Sequence, residues 1–108
     1  MAMLLSEAVS AFTGSGVPVA HVRFHDAQPP PYAEAYLNES RNILADDRTY
    51  RAFCEYAFVL CAAERDLSLE RSIEDALGEA EITWSKRGGY RADEDLVTTT
   101  YEFEVYER

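Results

Sequence analysis

Positive charge is what this sequence has least of for its size. Lys and Arg number 10 against 20 Asp and Glu, a net charge of −10 over 108 residues. Such a chain repels phosphate backbones and anionic membrane surfaces, which disfavours nucleic-acid binding through an electrostatic footprint. A surface that DNA passes without adhering stays compatible with it. Cysteine is scarce as well: Cys54 and Cys61 lie an odd number of positions apart, so a strand carrying both places them on opposite faces. That arrangement excludes a disulfide between them and reads both as reduced, buried, apolar residues of a cytosolic protein. No run of eighteen apolar residues occurs, and the opening MAMLLSEAVSAF lacks the basic region and long apolar stretch of a signal peptide. The expectation is a soluble protein with no cleaved leader and no membrane span. Glycine is thin too, and Gly88-Gly89 lacks the longer pattern of a phosphate-binding loop.

What the chain does have is Arg51 to Ala62, RAFCEYAFVLCA, long enough for the central strand of a sheet. Ala52, Cys54, Tyr56, Phe58 and Leu60 point one way, and Phe53, Glu55, Ala57, Val59 and Cys61 the other. From Phe53 onward both faces are apolar apart from Glu55, so both must be covered.

The remaining elements follow by periodicity within a single domain, residues 1–108. Leu5, Ala8, Val9 and Phe12 predict a helix over Met3 to Thr13, closed by Gly14 in the left-handed conformation. Val19 to His25 reads as a short strand, and Gln28-Pro29-Pro30-Pro31 as an extended polyproline connector at a sheet edge. Tyr32 to Leu37 is a second strand, followed by a thirteen-residue polar link, Asn38 to Tyr50, that carries the apolar patch Ile43-Leu44-Ala45. Loops of that length are usually functional or mobile. Asp66 is set to cap a second helix, with Glu70 in its first turn and Leu69, Ile73, Ala76, Leu77 and Ala80 as its buried stripe. Glu81 to Lys86 is a strand, Arg87-Gly88-Gly89 and Ala92 to Asp95 form turns, and Leu96 to Tyr106 alternates as the last strand. The sum is an α+β domain with a mostly antiparallel sheet of four to five strands and two helices, in the order αββ(loop)βαββ.

Candidate chemistry is thin. His21 and His25 share a face of a strand about 13 Å apart, too far for one zinc ion, and carboxylates would have to complete any site. Asp46, Asp47, Asp93, Glu94 and Asp95 fall in acidic runs of the kind normally solvated in loops. Neither cysteine has an adjacent base to lower its pKa. No catalytic residue, metal ligand or cofactor site is assigned, and a small metal protein or enzyme using His21 and His25 is the minor alternative.

Pro30-Pro31-Tyr32, the segment Asn42 to Asp47 followed by Tyr50, the strand Tyr56 to Leu60, the helix start Asp66 to Glu70, Ile82-Thr83-Trp84 and the ending Tyr101 to Val105 together resemble tail terminator and head–tail joining proteins of long-tailed bacteriophages and prophages. The likeness runs from about Gly16 onward. It implies a virion structural protein made in the bacterial cytoplasm, a homo-oligomeric ring, commonly of six copies. Such a ring caps the tail tube, faces the head connector proteins and lets DNA pass without specific binding. A head-completion adaptor or stopper is the alternative role within the virion. On this reading Ile43, Leu44, Tyr50, Ala57 and Val59 contribute to subunit contacts, while Asp46, Asp47, Asp93, Glu94 and Asp95 face the lumen or solvent.

Overall fold

The computed structural model describes residues 4–45 and 48–107, with side-chain surroundings for 4–40 and 53–106. Two helices, α1 (Leu5–Thr13) and α2 (Leu67–Glu79), accompany five strands: β1 (Val19–His21), β2 (Tyr32–Ala45), β3 (Arg48–Ala62), β4 (Trp84–Arg91) and β5 (Leu96–Glu107). They form one sheet in the order β1-β2-β3-β5-β4. Only β1 and β2 run parallel; the other neighbours are antiparallel. The fold is α+β, and the sequence-based order of elements holds.

The principal correction concerns Asn38 to Tyr50. Instead of a polar loop, β2 continues to Ala45 and β3 begins at Arg48, so the two strands pair down the whole length of one hairpin. The polar composition misleads because Glu39 to Ala45 pairs through its backbone, and ladder hydrogen bonds need no apolar side chains. A β-bulge between Leu37 and Glu39 marks the change from core-covered to exposed strand. The fifteen residues of β3, at about 3.3 Å each, reach roughly 50 Å, which matches the 50 Å long axis of the molecule.

The smaller corrections have local causes. Gly14 is right-handed (φ −66°), and the left-handed residue is Gly16 (φ +87°). β1 stops at His21, because Val22 adopts φ +72° in a tight turn in which Arg23 N donates to His21 O at 2.9 Å. The Pro30–Pro31 bond is cis, so residues 28–31 are not a regular polyproline helix. β4 begins only at Trp84 and runs straight through Arg87-Gly88-Gly89, the expected turn, with those residues opposite Thr100, Thr99 and Thr98.

Both helices pack on one face of the sheet. Phe12 of α1 and Ile73 and Leu77 of α2 are fully buried against Cys54, Tyr56, Phe58 and Leu60 of β3 and Tyr101, Phe103 and Val105 of β5. Phe58 is the hub, its ring centroid 5.0 Å from Phe12 and 5.1 Å from Phe103. The opposite face is covered, among the described residues, at one end, where the β1–β2 connection crosses it. There Phe24 stacks edge-on against Tyr32 at 5.6 Å, beside Cys61, Leu96 and Val59. Cys54 and Cys61 therefore lie in separate clusters as free buried thiols, and burial raises the Cys61 pKa.

Two measurements test this packing. Phe58→Ala is expected to lower unfolding free energy by about 3–5 kcal/mol, read as a shifted urea midpoint. Val22→Gly is expected to raise stability by about 1 kcal/mol, because a β-branched residue is strained at positive φ and glycine is not.

Candidate assembly surface

Three features distinguish the sheet face turned away from the helices. One is a row of carboxylates. Glu39 of β2 stands opposite Glu55 of β3, which stands opposite Glu104 of β5, so three glutamates follow one another across three adjacent strands. Glu102 lies next along β5, opposite Ala57. Like charges directly opposite one another repel, so this row concentrates negative charge on one face. The sequence pattern put Glu55 on this face and Glu102 and Glu104 on the polar side of β5. Register alone aligned them with Glu39.

A second feature is a clamp at the covered end. Arg91 of β4 donates to Glu34 of β2 at 2.8 Å, Glu34 also accepts from the Tyr36 hydroxyl at 2.9 Å, and Arg91 approaches Glu94 at 3.5 Å. The bond to Glu34 raises the Arg91 pKa, and burial, with Cys61 beside it, pushes Tyr32 up to about 12. Next to this clamp, residues 23–28, Pro30, Tyr32, Glu34, Glu94 and Leu96 line an open cavity of about 550 Å3. His25 is on its wall, whereas His21 belongs to β1. Among the described residues, no group of three or more His, Cys, Asp or Glu is placed to hold a metal ion.

The third is the free end of the hairpin. Among the described residues β5 pairs with β3 as far as Glu107 opposite Ala52, and beyond it Ile43 to Ala45 and Arg48 to Arg51 continue as a two-stranded ribbon. Ile43 and Leu44 are on its β2 limb and Tyr50 on its β3 limb; their side-chain surroundings, and Asp46 and Asp47 altogether, lie outside the described residues. Ala57 is 8 % exposed and Val59 packs into the Phe24–Tyr32 cluster, so those two interface candidates present little surface of their own. Val59 is in part spoken for by the chain's own β1–β2 connection. Asp93, Glu94 and Asp95 are exposed in the β4–β5 turn, where Asp95 accepts from the Tyr90 hydroxyl at 2.6 Å.

On the helix side, Glu70 does more than complement a helix dipole. It is 2 % exposed, accepting from Arg65 Nε at 3.2 Å, Lys86 Nζ at 3.0 Å and Thr99 Oγ1 at 3.4 Å. Glu74 joins it through Lys86 and accepts from the Tyr101 hydroxyl at 2.8 Å. The network ties α2 to β4 and β5. Asp66 caps α2 as expected, accepting from Leu69 N at 3.0 Å. Neither the protein-family models nor the curated proteins compared with this chain match it.

Burial disfavours the Glu70 carboxylate, but the hydrogen bonds and charges of Arg65 and Lys86 outweigh it and hold its pKa below the usual 4.5. A depressed folded pKa contributes stability that is present above the unfolded value and is lost as pH falls through the folded one. Acid titration of unfolding free energy is therefore expected to show a loss below pH 4.5 that Glu70→Gln reduces. At neutral pH the same variant is expected to cost about 1–3 kcal/mol.

Proposed function

We propose that the protein is a virion structural protein of the phage tail terminator type, acting by assembly rather than by making or breaking bonds. It forms a homo-oligomeric ring at the head-proximal end of the tail tube and joins the tube to the head. The observation that carries this reading is the two-stranded ribbon beyond β5. An isolated two-stranded hairpin is marginal in water, and this one places Ile43, Leu44 and Tyr50 where no third strand lies among the described residues. A neighbouring copy or the tube end supplies a partner for it.

The carboxylate row supports the same reading. Glu39, Glu55 and Glu104 gather carboxylates on the sheet face turned away from the helices, and fixed negative charge lining a passage keeps duplex DNA from adhering. The resemblance of the sequence to tail terminator proteins adds the location, the head–tail junction of the virion.

Leu44→Asp is the direct test. It lies on the ribbon, remote from the Phe58 core, so thermal unfolding of the variant is expected to match the parent. Native mass, measured with and without tail tubes, is expected to drop from ring to monomer. An unchanged ring, or normal tails joined to heads in particles lacking the protein, would refute the proposal.

A further inference from the structure

We propose that the open cavity beside the Arg91 clamp is a binding site for an alkylguanidinium group, the end of an arginine side chain presented by a partner polypeptide. The inference stands on the geometry at the covered end of the sheet and goes beyond the ring reading.

The residues that shape the cavity are held from several sides. Glu34 lies inside the sheet, opposite Ala20 of β1 on one side and Val59 of β3 on the other, so both neighbouring strands fix its backbone. Tyr32 is two residues away on the same face, opposite Cys61, with Phe24 edge-on against it. Phe24, Pro30, Tyr32 and Leu96 give the cavity an apolar wall, and Glu34 and Glu94 give it carboxylates. Its volume of about 550 Å3 falls within the roughly 300–1,000 Å3 of pockets that enclose small ligand groups.

Glu34 is the informative residue. It is 8 % exposed, and both hydrogen bonds it accepts, from Arg91 Nη2 at 2.8 Å and from the Tyr36 hydroxyl at 2.9 Å, fall on one oxygen, Oε1. Its other oxygen, Oε2, has no donor among the described residues. No sealed side-chain oxygen is left without a partner among those residues, so Oε2 is not sealed, and it opens to the cavity that Glu34 lines. A nearly buried carboxylate with one oxygen satisfied and the other open offers a strong acceptor to whatever enters.

Charge decides what that donor is. Arg91 serves two carboxylates, reaching Glu94 Oε1 through Nη1 at 3.5 Å, so one negative charge of the three groups is left over. On the rim the exposed Arg23 and Asp26 offset each other. A cation entering the cavity restores the balance, and the net charge of −10 draws cations from a distance. The shape of the cation follows from Arg91 itself. Its guanidinium reaches Glu34 and Glu94 through its two terminal nitrogens, so the two carboxylates stand at the spacing of that planar fork. A second guanidinium, arriving from the cavity side, donates to Glu34 Oε2 and to Glu94 while its methylene stem lies along Phe24, Pro30 and Leu96. Arginine suits such a wall better than lysine, being more weakly hydrated and able to stack on aromatic rings.

Backbone amide shifts of the full chain, followed by NMR as N-acetylarginine methylamide is added, test the site. Saturable shifts confined to residues 23–34 and 94–96 are expected, with a dissociation constant on the order of 1–10 mM for so small a probe. The neutral isostere N-acetylcitrulline methylamide is expected to bind about tenfold more weakly, and Glu34→Gln, which keeps an oxygen for Arg91, is expected to weaken the arginine probe by a similar factor. Glu94→Gln, in an exposed turn, gives the same readout without touching the sheet. Equal binding of the two probes, or no saturable shift at these residues, overturns the site. Saturating probe also reads the source of the arginine. A fall in the native mass of the assembled protein assigns it to the next copy, and release of tail tubes at constant mass assigns it to another protein. Neither effect overturns the assignment to a partner's arginine. A ring that never forms while the probe still binds removes the function proposed above and leaves this site.

Discussion

A strand that is apolar on both faces cannot end a sheet or lie on its surface, and β3 is such a strand. Its helix-side residues, Cys54 to Leu60, are satisfied by α1 and α2 packing on the same side, with Phe58 at the centre of the aromatic core. Its other side is closed only where the β1–β2 connection lays Phe24 against Tyr32, near Cys61 and Val59. Covering both faces at one end gives the molecule a packed body, from which the β2–β3 hairpin extends. The elongation follows from that asymmetry.

Charge is distributed with the same division. In the body, carboxylates are paired: Glu70 and Glu74 with Arg65 and Lys86, and Glu34 with Arg91. These bonds tie α2 to β4 and clamp β4 to β2 across the sheet. Towards the ribbon, Glu39, Glu55 and Glu104 follow one another in register across three strands. The first arrangement ties the elements of the body together, and the second gathers acids on one face of the sheet.

Much of the body was legible in the sequence because its signals are local. The alternation of Val97, Thr99, Tyr101, Phe103 and Val105 marks one face of β5, and Asp66 with Ile73 and Leu77 marks the start and buried stripe of α2. The thirteen-residue link was misread for an equally physical reason. Residues 39–45 are held by backbone pairing with residues of the 48–55 segment, and a strand so polar leaves no hydrophobic period. The same lack of signal hid the continuation of β4 through Gly88-Gly89, where glycine ordinarily marks a turn. Of the proposed contact residues, Ala57 and Val59 were placed on the correct face. The Phe24 segment that takes up much of that face comes from thirty residues away, beyond the reach of local pattern.

Composition and periodicity by themselves determined the class of fold, the central strand and its two faces, the separation of the two cysteines, and the excess of negative charge. These depend only on side-chain chemistry and on the repeat lengths of helix and strand, which are properties of neighbouring residues. Only the tertiary structure decided which acids pair and which oppose one another, which strands have open edges, and where the hairpin outruns its sheet. Those are matters of register between segments far apart in the chain, fixed when β2, β3, β5 and β4 slide into the one alignment that buries Phe58 and its partners.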